Sequence, residues 1–153
     1  SVTAGNASGL NDGAAALVLA TGAAVLAGNL APMARLVAYA HAGVEPELMG
    51  LGPIPATRLA LKRAGLKIGD MDVIEANIAF AAQACAVMQE LDMDPARVNP
   101  NGSGIALGHP VGATGAIIAT KAIHELHRTQ GRYALATMCI GGGQGIAVIF
   151  ERV

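Results

Sequence analysis

The stretch YALATMCIGGGQGIAVIF, residues 133–150, decides the fold class, because two apolar segments flank a cluster of glycines. Residues 133–138 and 146–150 are short and apolar, and we predict both as strands. The few residues between them favour an antiparallel pair. Cys139 lies where the first strand ends, immediately before Ile140 and three glycines.

Upstream of this stretch, strand-like segments alternate with segments of helical periodicity. The pattern predicts strands at residues 34–41 and 72–75 and helices at residues 55–64, 78–91 and 111–128. Residues 14–20 (AAALVLA) fit either a helix end or a buried strand, because periodicity alone does not distinguish the two. Alternation of this kind predicts an α/β layered domain with a mostly parallel sheet, and the length suits one domain over residues 1–153.

The composition excludes several classes of function. Hydrophobic residues make up 53% and charged residues 14%, which indicates that more than one face is covered, by partner subunits or by a missing half. A net charge of −1 without a basic block disfavours a nucleic-acid-binding protein, and the sequence lacks a long uninterrupted apolar run that would predict a membrane span. Two cysteines without a CxxC pair indicate a reducing compartment, for which we expect the cytoplasm.

Two loops place a polar residue among small neighbours. Asn77 lies where a predicted strand meets a helix, a position at which α/β sheets place binding groups, although a helix N-cap is the alternative. His109 lies in a loop with five glycines between Gly102 and Gly115, through which a ligand can approach the backbone. A purely structural histidine is the alternative there.

The two cysteines have different surroundings in the sequence. Exposed N–H donors beside Cys139 would lower the pKa of its thiol, so we expect a usable thiolate. Cys85 lies inside a predicted helix, where we expect it to pack in the core. His124 and His127 are spaced to share a metal ion, but no further ligand is near, and a solvated helix end explains them better; we expect no metal.

Four motifs together resemble the C-terminal half of the thiolases, which are acetyl-CoA C-acyltransferases. They are residues 5–13 (GNASGLNDG), 77–83 (NIAFAAQ), 108–115 (GHPVGATG) and 139–145 (CIGGGQG). The likeness extends over nearly the whole chain and is greatest to bacterial short-chain β-ketothiolases. It implies a layered α/β half-fold with a five-stranded mixed sheet covered by helices.

The resemblance also implies roles for individual residues. Cys139 would be the acid/base, and His109 would donate a hydrogen bond to the thioester oxygen together with a water held by Asn77. The backbone N–H of Gly141 would contribute to a second oxyanion hole. Phe80 and Ala79 would line the channel for coenzyme A, which is part of the substrate, so that no separate cofactor is expected.

Two departures from the family pattern matter. Where the family has Asn-Glu-Ala-Phe, this chain has Ile78 after Asn77, and we expect the missing carboxylate to weaken the network. The family's nucleophilic cysteine and most of its coenzyme A-binding loop domain belong to an N-terminal half that these residues do not match. We therefore expect a partner N-terminal half and a homodimer or homotetramer, and an isolated chain without activity.

Two other interpretations remain. A noncatalytic acyl-CoA-binding or scaffold module is favoured by Ile78 and disfavoured by His109 and Cys139. A decarboxylating condensing enzyme of the same superfold would carry two histidines, whereas Cys139 among glycines favours a thiolase.

Overall fold

The structure is a computed structural model that describes residues 1–153. Its helices are α1 (Gly22–Ala27), α2 (Pro53–Ala64), α3 (Ala81–Glu90), α4 (Gly104–Leu107) and α5 (Thr114–Thr129). Its strands are β1 (Ala34–Gly43), β2 (Val73–Ala76), β3 (Tyr133–Ile140) and β4 (Gln144–Arg152). Short 3-10 turns cover Pro46–Leu51, Ile68–Asp70 and Pro95–Arg97.

The strands form one mixed sheet in the order β1-β4-β3-β2. The mixed sheet confirms the predicted fold class, but it has four strands where five were expected. The expectation of a mostly parallel sheet is also wrong, because only β2 and β3 pair in parallel. The glycine turn between Ile140 and Gln144 is too short for a crossover, so it forces β3 and β4 into a hairpin.

A side chain closes the outer edge of β2 in place of a fifth strand. Val98 forms an isolated parallel bridge with Ile74, whose carbonyl accepts the Asn99 N–H at 2.8 Å. The Asn99 amide then makes two hydrogen bonds to the backbone of Ala76, at 2.9 and 2.8 Å. Asn99 has a φ of 49°, which asparagine tolerates better than most residues and which ends the pairing there.

Alternate residues of the strands supply two layers of core. Ile74 and Leu135 join the larger cluster, which α2 completes with Ile54, Ala56, Ala60 and Leu61. Val73 and Ala134 point to the opposite face, where they pack against Ala122 and Leu126 of α5. Helices therefore cover both faces of the sheet, as the layered class requires.

The observed helix boundaries follow local chemistry. Helix α2 begins with Pro53, two residues earlier than predicted, and ends at Gly65, whose φ of 69° terminates it. Helix α3 begins at Ala81 rather than at residue 78, because residues 77–80 remain outside the helix and Phe80 bridges to Ala7.

Residues 14–20 form neither a helix end nor a buried strand. They are extended and exposed, with Val18 at 98% and Leu19 at 83% of full exposure. No residue in this segment takes part in a backbone–backbone hydrogen bond. Both alternatives from the sequence are therefore wrong for this chain, which leaves an apolar segment without a partner.

Gly145 of β4 lies very close to Gly52, which precedes the first residue of α2, and a substitution at Gly145 tests this packing. A Cβ at position 145 would meet the carbonyl group of Gly52 and the nitrogen of Pro53. Gly145→Ala should therefore lower the free energy of unfolding by about 3 kcal/mol or more, measured by urea denaturation. Gly22→Ala, where a Cβ meets nothing within 4 Å, is the control and should be neutral or slightly stabilising. Equal effects of the two substitutions would contradict the steric argument.

Candidate active site

The parallel pairing of β2 and β3 brings the first two predicted site residues to one edge of the sheet. Ala76 and Thr137 are partners in this pair, and the Asn77 N–H donates to the Thr137 carbonyl at 3.0 Å. Cys139 follows two residues later at the carboxyl end of β3. Ligand sites of α/β sheets occur at such an edge, and both side chains are almost fully buried there.

The N-terminal segment, residues 6–11, joins the loops on which Asn77 and His109 lie. The N–H of Ser8 donates to the Ala79 carbonyl at 2.8 Å. The His109 N–H contacts both the Gly9 carbonyl and the Asn11 side chain, each at 3.2 Å. This segment belongs to the motif of residues 5–13, but its contacts with the other two loops were not predicted from the sequence, although its dense asparagine and glycine content was a signal for hydrogen bonding of this kind.

His109 is held from both sides of its ring. Its Nε2 lies 3.3 Å from Asn77 Nδ2, and its Nδ1 lies 2.6 Å from Thr114 Oγ1. The Thr114 hydroxyl also lies 2.9 Å from the Pro110 carbonyl oxygen. Burial lowers the pKa of His109, so the neutral imidazole is favoured. The structure thus brings Asn77 and His109 into contact, and it adds Thr114, which sequence reasoning placed in a motif but did not single out.

Ser103 fastens the glycine-rich loop to the end of β2. Its hydroxyl accepts the Ile78 N–H at 3.0 Å and donates to the Ala76 carbonyl at 3.2 Å. The next residue, Gly104, lies so close that a Cβ would be 2.6 Å from the Ile78 carbonyl oxygen. Ile78 itself is half-buried, and the Asn77–His109 contact forms without any carboxylate at position 78.

A buried ion pair is connected to the same glycine-rich loop. Glu75 is 0% exposed, and its Oε2 lies 2.7 Å from Lys121 Nζ. The same ammonium group donates to the Gly102 carbonyl at 2.5 Å. Burial raises the pKa of Glu75, while the hydrogen bond and the charge of Lys121 oppose that shift. Lys121 therefore links β2, α5 and the glycine-rich loop.

Cys139 differs from the expectation of a low-pKa thiolate. The residue is 6% exposed, and burial raises the pKa of its thiol, which a backbone hydrogen bond only partly offsets. Desolvation of the sulfur outweighs the nearby N–H groups, because removal from water penalises the charged form. The resting group is consequently a thiol.

Cys85 is exposed, so the prediction that it packs in the core is wrong. It lies on α3 beside Ala84, and Ala84 and Val87 are the residues of that helix that turn inward. The periodicity of this segment predicts one apolar stripe of Phe80, Ala84, Val87 and Leu91; the last three are buried, Phe80 is half-buried before the helix begins, and position 85 falls outside the stripe.

The remaining predicted site residues occupy the rim. Gly141 begins the turn between β3 and β4, where it is exposed and where a Cβ would meet nothing within 4 Å. Phe80 is half-buried at the start of α3, so it presents surface to a ligand. Ala79 is only 6% exposed and leaves little surface for a channel.

The two histidines of α5 do not form a metal site. His127 Nε2 lies 2.8 Å from the Met33 carbonyl oxygen, and His124 is exposed. No group of three or more histidine, cysteine, aspartate or glutamate side chains is placed to hold a metal ion. None of the helices combines the length and apolar character needed to cross a membrane.

Comparison with known families gives one match over most of the chain. The family described as "Thiolase, C-terminal domain" matches residues 30–152. Among curated relatives, "Beta-ketothiolase BktB" of Cupriavidus necator is 70% identical, over 99% of this chain and 39% of that protein. An "Acetyl-CoA acetyltransferase" of Escherichia coli is 57% identical, again over 99% and 39%. The chain thus spans about two fifths of the length of these relatives.

Solved structures agree with this match. A crystal structure of the Bacillus anthracis acetyl-CoA acetyltransferase superimposes with a TM-score of 0.98 at 51% identity, over 99% of this chain and 39% of that one. Human mitochondrial 3-ketoacyl-CoA thiolase in complex with CoA gives a TM-score of 0.92 at 46% identity, over 99% and 38%.

Removal of the Lys121 ammonium group should destabilise the folded protein, because it leaves the Glu75 carboxylate buried without a cation. We expect Lys121→Met to lower the free energy of unfolding by about 3–5 kcal/mol, measured by denaturant titration. The double variant Glu75→Gln, Lys121→Met removes both charges and should recover most of that loss. Lys62→Met, at an exposed position of α2, is the control. A Lys121→Met protein as stable as the control would contradict the argument.

The burial of Cys139 predicts slow reaction with a soluble alkylating agent. In the native full-length protein at pH 7, iodoacetamide should modify Cys85 well before Cys139, because Cys139 is shielded and mostly protonated. The rate at Cys139 should rise with pH beyond the ordinary thiol range, since burial raises its pKa. Peptide mass spectrometry over time measures both rates. Faster modification of Cys139 at neutral pH would show that it is a reactive thiolate.

Proposed function

The chain belongs to the thiolase family, through its C-terminal domain, and on that premise we propose that it supplies the acid/base half of a thiolase active site. The complete protein would cleave short-chain 3-ketoacyl-CoA thioesters with coenzyme A, or form them by Claisen condensation. The observation that carries this proposal is the contact between Asn77 and His109 at the sheet edge on which Cys139 also lies.

The chemistry of this edge fits the formation of an enolate from a thioester. The weakly acidic α-carbon must lose a proton, and the developing charge on the thioester oxygen must be stabilised. Cys139 is the proposed acid/base. Its raised pKa makes its thiolate a stronger base and keeps the thiol available as an acid.

The oxyanion donors are proposed on two sides. His109 donates to the thioester oxygen with a water that Asn77 holds, and the fixed ring makes such a donor well aimed. Gly141 offers a backbone N–H at an exposed and sterically open turn, which suits the oxygen of an acyl-transfer intermediate. Phe80 and, to a smaller extent, Ala79 would contact the coenzyme A arm.

An N-terminal half is the proposed partner of this chain. The exposed apolar segment at residues 14–20 has free backbone hydrogen-bonding groups, as an unpaired strand has. It borders an apolar groove of about 820 Å³ that Leu30 and Ile123 also line. Relatives about two and a half times as long contain enough additional chain to cover both features. That half would provide the nucleophilic cysteine, and the whole would assemble as a cytoplasmic homodimer or homotetramer.

A noncatalytic acyl-CoA-binding module is the second candidate, and Ile78 favours it. An apolar side chain at this position cannot accept a hydrogen bond, so a group that a glutamate would satisfy must find water instead. Binding of coenzyme A without turnover would distinguish this module from the enzyme.

Substitution of Cys139 in the full-length protein tests the proposed function. Cys139→Ser should lower kcat for thiolysis of acetoacetyl-CoA by about 10²-fold or more, because a hydroxyl is a far weaker base than a thiolate. The exchange of the α-protons of acetyl-CoA with deuterated solvent, followed by NMR, should fall in parallel. Cys85→Ser is the matched control and should retain activity. An unchanged exchange rate in the Cys139→Ser protein would remove Cys139 from the role of base.

A further inference from the structure

The hydroxyl of Thr114 lies between the ring of His109 and a backbone carbonyl. Thr114 is the first residue of α5 and is 3% exposed, so its hydroxyl is shielded from bulk water. Oγ1 lies 2.6 Å from His109 Nδ1 and 2.9 Å from the Pro110 carbonyl oxygen. A hydroxyl has one hydrogen to donate, so it can donate to only one of these two neighbours at a time.

Each choice of acceptor sets the tautomer of the neutral ring. When the hydroxyl donates to Pro110, it accepts from Nδ1–H of His109, and Nε2 is left as an acceptor facing Asn77 Nδ2. When the hydroxyl donates to Nδ1, the ring carries its proton on Nε2 and can donate to an oxygen there. The proposed function requires the second arrangement, because His109 must donate to a thioester oxygen.

The Pro110 carbonyl oxygen does not depend on the hydrogen bond from the Thr114 hydroxyl. Its oxygen already accepts the backbone N–H groups of Ala113 and Thr114, each at 2.8 Å. Loss of the hydroxyl therefore leaves no buried acceptor unpaired at Pro110. Both arrangements give Nδ1 a hydrogen-bond partner, but only the first pairs Nε2 with the Asn77 amide N–H, so an acceptor placed near Nε2 is needed to favour the second.

We propose that Thr114 is a positioning residue that selects the Nε2–H tautomer of His109 by donating its hydroxyl hydrogen to Nδ1 when a substrate oxygen lies at Nε2. The tautomer change is a net exchange of one ring proton: the ring gains a proton at Nε2 and loses the proton at Nδ1, so it stays neutral. This inference rests on the proposed function, because it assigns Thr114 to the oxyanion donor of that reaction.

Three substitutions in the full-length protein test the inference. Thr114→Val keeps the shape and removes the hydroxyl, so Nδ1 loses its buried partner. We expect kcat for acetoacetyl-CoA thiolysis to fall by about 10- to 100-fold, with KM within about twofold of wild type. Thr114→Ser should restore most of the rate. Thr120→Val, which removes a similar hydroxyl bonded to the Ala116 carbonyl of the same helix, should leave kcat unchanged.

A double-mutant cycle separates positioning from a contribution to folding. In a His109→Ala background, Thr114→Val should cause little further loss, because the ring through which it acts is gone. An undiminished loss in that background, or a Thr114→Val protein with wild-type kcat, would overturn the inference. An inactive wild-type protein would instead overturn the proposed function.

The tautomer itself provides a readout that does not depend on activity. ¹⁵N NMR of histidine-labelled full-length protein, with the His109 signals identified from the His109→Ala spectrum, reports which ring nitrogen is protonated. Thr114→Val should shift the balance between Nδ1–H and Nε2–H, whereas Thr114→Ser should preserve it. Identical ring signals in wild type and Thr114→Val would overturn the inference even if both proteins were inactive.

Discussion

Strand β2 pairs in parallel with β3 over Val73 to Ala76, and all four residues of β2 are buried. This short ladder positions the candidate site, because it extends directly into the hydrogen bond between the Asn77 N–H and the Thr137 carbonyl. A shift of one residue in its register would break the hydrogen bond between the Asn77 N–H and the Thr137 carbonyl and would move Asn77 along the sheet edge relative to Cys139. The two layers of core on either side of the ladder hold that register.

The polar groups around this edge form a connected set. Ser103 and Asn99 satisfy the backbone at the end of β2, and Lys121 neutralises Glu75 while it supports the glycine-rich loop. Buried polar groups of this kind stabilise a structure only when they are paired, so the pairing makes the loop geometry specific. His109 itself is placed by contacts from three parts of the chain, namely residues 9–11, Asn77 and Thr114.

The same burial has opposite effects on the two titratable groups of the site. It lowers the pKa of His109 and raises that of Cys139. In each case the charged form of the side chain loses more hydration free energy than the neutral form when it is removed from water. Both groups are neutral at rest. A neutral thiol and a neutral imidazole are suited to proton transfer and hydrogen-bond donation, rather than to the permanent ion pair that activates many cysteine nucleophiles.

By itself the sequence determined the layered α/β class, the hairpin of β3 and β4, the C-terminal end of α2, and the placement of Asn77, His109 and Cys139 in loops or at strand ends. These features depend on local patterns, such as apolar periodicity and a glycine after a helix. Only the tertiary structure decided the number of strands, the exposure of Cys85, the raised pKa of Cys139 and the role of Thr114. Each of these depends on which distant residues come into contact, such as Asn99 with Ala76, and a pattern along the chain does not contain that information.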